Sequence, residues 1–168
     1  MTHIVPLSQI SEDAVETLLD AAFGADRKAR TAYKMRSGCR AIELLSFAAL
    51  DSDGTLMGTL QSWPVALEGE DGVHTVMTLV GPVAVAPDLQ RSGIGKVLMQ
   101  QLVDAADDHG HKVLVMIGDP EYYGRFFGFT ADATGGWMVP GPVERHRLLA
   151  KIKRVGGMPQ HGRIIPNP

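Results

Sequence analysis

The sequence predicts an α/β (α+β) fold, with a mixed central sheet that contains an antiparallel N-terminal meander, a βαβ unit and flanking helices. Three observations predict it. Two polar turn clusters, Asp51-Ser52-Asp53-Gly54 and Glu68-Gly69-Glu70-Asp71-Gly72, separate three apolar extended stretches, and turns of this chemistry join antiparallel strands. A strand ending at Val85, a loop, an amphipathic helix and the uninterrupted apolar run Val113-Leu114-Val115-Met116-Ile117 then follow in the order of a βαβ unit. Finally, 168 residues of which 45% are hydrophobic can bury one sizeable core. The expected organisation is a single domain over residues 1–155. The stretch 156–168, rich in glycine and proline, reads as a tail with no core of its own.

Each element has a local reason. Ile4 and Val5 suggest a first strand, and Ser11 can cap a helix whose first turn holds Glu12 and Asp13, suited to the positive helix end. Val15, Leu18, Leu19 and Ala22 recur at helical spacing before Gly24. A second helix is expected from Asp26 to Ser37, in a segment whose cations Arg27, Lys28, Arg30, Lys34, Arg36 and Arg40 read as a solvated face or a patch for an anionic ligand. The meander spans Ile42 to Val85. Gly81-Pro82 interrupts its third strand, because proline removes a ladder donor and glycine weakens pairing. The helix from Gly93 to His109 turns Ile94, Val97, Leu98, Leu102, Ala105 and Ala106 to one face, and Gly110 stops it. A right-handed crossover makes the flanking strands parallel and puts the connecting loop at their carboxyl ends. After Asp119-Pro120 a short helix carries Tyr122 and Tyr123, and Arg147 to Lys153 supplies a closing strand.

Composition excludes several classes. With 16 basic and 19 acidic residues the net charge is −3, which gives no electrostatic footprint for nucleic acid. The single cysteine, Cys39, has neither a disulfide partner nor metal-ligand spacing, so no metal is expected. Met1 to Pro6 carry no basic region followed by an apolar stretch, and no apolar run approaches a membrane span, so a cytoplasmic protein without membrane attachment is expected.

The chemistry concentrates in Gln90-Arg91-Ser92-Gly93-Ile94-Gly95 at the start of the βαβ helix. A pyrophosphate needs several backbone N–H donors converging on one spot, and a helix N-terminus offers them with a favourable dipole. Gly93 and Gly95 let the backbone approach closely, while Arg91 and Lys96 add charge from the rim. A Walker loop fails on the same letters, since Gln90 stands where its first glycine belongs and Val97 where its Ser or Thr belongs. A dinucleotide fingerprint fails at Leu98 and by following an antiparallel meander.

These letters resemble the Q/R-x-x-G-x-G/A acyl-CoA signature of the GNAT superfamily of N-acetyltransferases. The resemblance includes the preceding Val83-Ala84-Val85-Ala86-Pro87 and the order in which Gly118-Asp119-Pro120-Glu121-Tyr122-Tyr123 and Phe127-Gly128-Phe129 follow, and it covers Ile42 to Phe129 best. It implies a GNAT-like fold and transfer of an acetyl or acyl group from acetyl-CoA to a primary amine by direct attack in a ternary complex. On the same basis Val83, Ala84 and Val85 offer backbone groups to the pantetheine arm, and Gln90, Arg91, Ser92, Gly93, Ile94, Gly95 and Lys96 hold the pyrophosphate. Asp119 is placed beside the cofactor, and Tyr123 or Tyr122 is the general acid for the leaving thiolate. Tyr123 is favoured, although the family's usual position falls on Gly124 and the extra residue in Phe126-Phe127 accounts for the shift.

No general base is assigned among Glu43, Glu68, Glu70, Asp71 and His74, each of which also reads as a turn or edge residue. Trp63 and Trp137 are candidates to border the acceptor pocket. The acceptor is expected to be a small-molecule or peptide amine, and a homodimer is left open. The reading from a different class is a non-catalytic acyl-CoA-binding module, which would keep the phosphate loop without a working acid.

Overall fold

A computed structural model describes all residues, Met1–Pro168. Eight strands form one mixed, mostly antiparallel sheet: β1 (His3–Pro6), β2 (Phe47–Leu50), β3 (Leu56–Gly69), β4 (His74–Val85), β5 (Val113–Ile117), β6 (Gly136–Met138), β7 (Leu148–Ile152) and β8 (His161–Pro166). The hydrogen-bonded order is β1-β2-β3-β4-β5-β7, and β8 pairs with both β3 and β6. Four α-helices accompany it, α1 (Glu12–Phe23), α2 (Thr31–Met35), α3 (Ile94–Asp108) and α4 (Pro120–Phe127). The mixed sheet, the meander and the βαβ unit expected from the sequence are all present, with β4 and β5 parallel.

The chain divides into two compact units. The first comprises Met1–Lys28, Ala41–Ser62 and Gly81–Asp108, and the second Ala29–Arg40, Trp63–Val80 and His109–Pro168. In the first unit β1 and β2 pair antiparallel from His3↔Leu50 to Pro6↔Phe47, and β2 continues onto β3. Ser11 Oγ accepts a hydrogen bond from Ala14 N at 3.2 Å, and Glu12 and Asp13 occupy the first turn of α1. A cap of this kind contributes about 1 kcal/mol. Val15, Leu18 and Leu19 pack from that helix against Ala48 and Ala84. Helix α3 buries Ile94, Leu98, Met99, Leu102, Ala105 and Ala106. It comes so close to β3 that a Cβ at Gly58 would stand 2.9 Å from Ile94 Cγ2 and 2.9 Å from Ala84 O. A side chain there would push the helix start away, so the absence of one at Gly58 helps to set where the loop before α3 sits.

In the second unit the core gathers Met35, Val65, Leu67, Met77, Leu79, Val113, Val115, Trp137, Leu148, Ala150 and Ile164. The Val, Leu, Ile and Met side chains among them contribute about 1.5–3 kcal/mol each on full burial. Strand β5 pairs with β4 at Thr78↔Leu114 and Leu79↔Val115, and with β7 along all five residues from Val113↔Ile152 to Ile117↔Leu148. The parallel register stops two residues before Gly81, whose φ is 120° and whose bond to Pro82 is cis, at the point where the sequence predicts an irregularity.

Three expectations are corrected. Residues 156–168 are not a coreless tail, because β8 lies antiparallel to β3 from Val65↔Pro166 to Gly69↔Gly162 and parallel to β6, with Ile164 buried. The helix expected from Asp26 to Ser37 is a 3₁₀ turn at Arg27–Ala29 followed by the single-turn α2. Arg30, with extended backbone, separates the two, and Thr31 Oγ1 is committed to Pro142 O at 2.6 Å. Trp137, a candidate for the border of the acceptor pocket, lies in the second unit's core. It is fully buried, with Nε1 donating to Pro159 O at 2.9 Å.

Candidate active site

The residues singled out by the sequence fall in both units. In the first unit, β4 ends at Val85, a 3₁₀ turn follows over Pro87–Leu89, and the chain reaches α3 through Gln90 to Gly93. Two positions in this stretch are left-handed, Arg91 with φ 69° and Gly93 with φ 88°. For glycine that conformation is free of the Cβ penalty, but for an arginine it costs about 1–2 kcal/mol. A non-glycine residue held at positive φ in a loop is the kind of strain that accompanies a ligand-binding backbone. Alternation of left-handed and ordinary residues turns successive N–H groups toward one side, which makes a concavity suited to an anion.

Local bonds fix the loop. Ser92 N donates to Leu89 O at 3.2 Å, Val97 N donates to Gly93 O at 3.1 Å to open the helical ladder, and Gln90 Nε2 donates to Val85 O at 3.4 Å. An α-helix leaves its first four N–H groups without intrahelical acceptors, and the positive end of its dipole adds to their pull on an anion. Arg91, Ser92, Gly93 and Lys96 are exposed, whereas Ile94 and Ala84 are buried. Val83 and Val85 are half-buried and lie beside Gly95, where a Cβ would be 3.9 Å from Val83 Cγ1 and 3.7 Å from Val85 Cγ2.

In the second unit α4 opens at Asp119, whose Oδ1 accepts from Glu121 N at 3.0 Å, with Pro120 in the first turn. The carboxylate placed beside the cofactor by resemblance is therefore the N-cap of the tyrosine helix. Gly128, left-handed at φ 76°, closes the other end, and Phe129 N donates to Tyr123 O at 3.2 Å. Tyr122 and Tyr123 meet edge to face with ring centroids 4.9 Å apart. Tyr122 also packs on Phe126 and Tyr123 on Phe129. The two phenols differ in environment. Burial raises the Tyr122 hydroxyl above its ordinary value, and Tyr123 is pushed up to about 12. Burial is the main cause for Tyr123; Tyr122 and Asp119 add to it, and the Arg147 guanidinium opposes it. At neutral pH Tyr123 therefore holds its proton, as a donor must.

Of the acidic and imidazole candidates for a base, Glu68, His74 and Asp71 are engaged in local structure. His74 Nε2 and Glu68 Oε2 are 3.0 Å apart across the β3–β4 hairpin, and Asp71 Oδ1 accepts from Val73 N in its turn. Glu43 is exposed in a 3₁₀ turn. His111 Nδ1 lies 3.0 Å from Thr78 Oγ1, with its pKa lowered by burial and by neighbouring His109. Cys39 Sγ faces two backbone carbonyls, Pro64 O at 3.4 Å and Ser37 O at 3.9 Å. No group of three His, Cys, Asp or Glu side chains is placed to hold a metal ion, and no helix is long and apolar enough to cross a membrane.

Two features escaped the sequence reading. One is the left-handed Arg91, which no side-chain pattern announces. The other is the contact between Gly118 and the Tyr123 ring, where a Cβ would stand 2.7 Å from Cε2. The small residue just before the helix cap was the only available signal.

Comparison with known proteins identifies the family and the fold. The profile of the acetyltransferase (GNAT) domain matches residues 3–131. Over 117 residues the chain is 27% identical to the uncharacterized N-acetyltransferase YhbS of Escherichia coli strain K12, covering 70% of this chain and 67% of that protein. The crystal structure of Escherichia coli YhbS in complex with CoA superposes with a TM-score of 0.73 at 21% identity, over 99% of this chain and 89% of that one. A GNAT family acetyltransferase from Brucella melitensis in complex with acetyl-CoA gives a TM-score of 0.69 at 24% identity, over 99% and 96% of the respective chains. At these identities the superpositions establish the fold.

Proposed function

This chain belongs to the acetyltransferase (GNAT) family, and from that premise we propose that it transfers an acetyl group from acetyl-CoA to a primary amine by direct attack in a ternary complex. The observation that carries the proposal is the loop at the start of α3, where Arg91 and Gly93 are left-handed and Lys96 is exposed, a backbone conformation suited to an anion. The Escherichia coli and Brucella melitensis relatives, seen with CoA and acetyl-CoA, support the same cofactor here. Gln90 to Lys96 bind the pyrophosphate, and the backbone of Val83, Ala84 and Val85 serves the pantetheine arm. Asp119, which caps α4 through Oδ1, is the cofactor contact contributed by the tyrosine helix. The whole chain works as one acyltransferase domain, in the cytoplasm, on a small-molecule or peptide amine.

In the reaction the neutral amine attacks the thioester carbonyl, the C–N bond forms, and the C–S bond breaks as the tetrahedral intermediate collapses. Backbone N–H donors stabilise the developing oxyanion. The departing thiolate takes a proton, for which Tyr123 is the donor, and the proton lost by the amine passes to solvent, from which the tyrosinate is reprotonated. Positioning of two bound reactants supplies much of the acceleration, so the chemistry requires no metal.

Release of CoA from acetyl-CoA, followed across a panel of primary amines, tests the proposal. At least one amine should turn over, and Tyr123→Phe should then lower kcat by roughly 10² while acetyl-CoA affinity stays nearly constant. Tyr122→Phe should change little, and the reverse ranking would move the role to Tyr122. Tight acetyl-CoA binding with no turnover on any amine would favour a non-catalytic acyl-CoA-binding module.

A further inference from the structure

The end of β5 and the start of β7 are tied by a reciprocal pair of bonds that the proposed chemistry does not otherwise use. Gly118 N donates to Arg147 O at 3.0 Å, and Arg147 Nε donates back to Gly118 O at 3.3 Å. Gly118 is buried, and its α-carbon lies directly against the Tyr123 ring, since a Cβ there would be 2.7 Å from Cε2 and 2.8 Å from Cδ2. Arg147 thus holds, from both its main chain and its side chain, the piece of backbone on which the phenol rests. The charges around that phenol are unequal. On its own segment Asp119 and Tyr122 both oppose a tyrosinate, and from the β7 side the Arg147 guanidinium favours it. A phenol that titrates near 12 is a weak proton donor, so any neighbour that stabilises its anion improves the transfer.

We propose that Arg147 is the positioning residue of the proton donor, fixing the Gly118 backbone against the Tyr123 ring and presenting a cation that supports the phenolate as the proton leaves. The inference rests on Tyr123 being the acid. A residue that merely stapled β5 to β7 would show the same hydrogen bonds, so the test must separate fastening from proton donation.

The experiment is a double-mutant cycle on the full-length protein. It combines Arg147→Gln, Arg147→Lys and Gly118→Ala with the native Tyr123 and with Tyr123→Phe, and measures kcat, KM for acetyl-CoA and melting temperature for each. Arg147→Gln should lower kcat about tenfold with KM within about twofold, and should have no further effect once the hydroxyl is gone. Arg147→Lys, which keeps the charge, should recover activity to within about threefold of the wild type. Gly118→Ala should reproduce the fall without touching any charge, because the added methyl displaces the ring. Equal losses from Arg147→Gln in the native and the Tyr123→Phe backgrounds, or no loss in either, would overturn the positioning role while leaving Tyr123 as the acid. Full activity in Tyr123→Phe alone would overturn the acid assignment and this inference with it. Should Arg147→Gln fail to fold, Arg147→Lys and Gly118→Ala carry the cycle. Losses that persist in both of them without the hydroxyl would again overturn it.

Discussion

Replacing the two glycines at the start of α3 separates obstruction of a ligand from strain in the backbone. Gly95 sits in helical backbone within α3, and a Cβ there meets nothing closer than Val85 Cγ2 at 3.7 Å, which is ordinary van der Waals contact. Alanine is preferred over glycine in a helix by about 0.8–1.0 kcal/mol, less in the first turn, and valine recovers part of that gain. Since about 1 kcal/mol moves the melting temperature of a domain of this size by about 2–4 °C, Gly95→Ala and Gly95→Val should both leave the free protein as stable as before, or slightly more so. Gly93 is different. Its φ is 88° with open space around it, so any L residue is strained by about 1–2 kcal/mol and Gly93→Ala should lower the melting temperature by about 2–8 °C. If the backbone here touches the pyrophosphate, the branched methyls of Gly95→Val stand in the contact. CoA affinity should then fall at least tenfold, about 1.4 kcal/mol. The GNAT signature admits alanine at this position, so Gly95→Ala should stay within about threefold of the wild-type affinity. Titration calorimetry with CoA, beside thermal melts of the free proteins, reads both quantities. A folded Gly95→Val protein with unchanged CoA affinity would refute the pyrophosphate assignment.

Acetyl-CoA should stabilise the fold by about 2.7 kcal/mol at a hundredfold excess over its Kd, whereas ATP and NAD should not, and a melting shift with ATP but none with CoA would contradict the loop reading. Tyr123 titrates near 12 in the folded chain against an ordinary 10, so the native state retains a proton that the unfolded chain loses between those values. That stabilisation is present below pH 10 and is lost as pH rises through 12. Urea unfolding from about pH 9 to about pH 11 should therefore show stability falling with pH, less steeply in Tyr123→Phe. Ile164 is buried in the second unit's core on a strand held by β3 and β6, so Ile164→Ala should destabilise by about 2–5 kcal/mol, and a melt unchanged from wild type would show that β8 contributes no packing.

What the sequence made legible was whatever depends on neighbours in the chain. The meander follows from two turn clusters, the α1 cap from Ser11, and β5 from five successive apolar residues, each a local pattern with a local cause. The loop before α3 stood out because its glycines and cations are contiguous. Strand β8 was hidden. Of His161-Gly162-Arg163-Ile164-Ile165-Pro166 only Ile164 is fully buried, and Gly162 is needed because a Cβ would stand 2.7 Å from Glu68 O, so the glycine that suggests a tail is a close strand contact.

The basic segment shows the same limit from the side of charge. Six cations between Arg27 and Arg40 read as a surface feature, because a sequence window shows only their charge and not their partners. Two of them are interior residues. Arg27 Nη2 bonds Glu16 and its Nε bonds Asp20 Oδ1 at 2.9 Å, using two acids one helical turn apart on α1. Arg36 lies 4.0 Å from the Tyr33 ring centroid and 3.8 Å from that of Trp63, in the second unit. A guanidinium is planar and weakly hydrated, so its edge can meet carboxylates and its faces can stack on rings, neither of which an ammonium group does as well. Both buried cations are accordingly arginines, and both lysines, Lys28 and Lys34, are exposed. Arg27 and Arg36 are thereby committed to fixing the backbone of their own units, and of the six cations only Lys28, Arg30, Lys34 and Arg40 reach the surface.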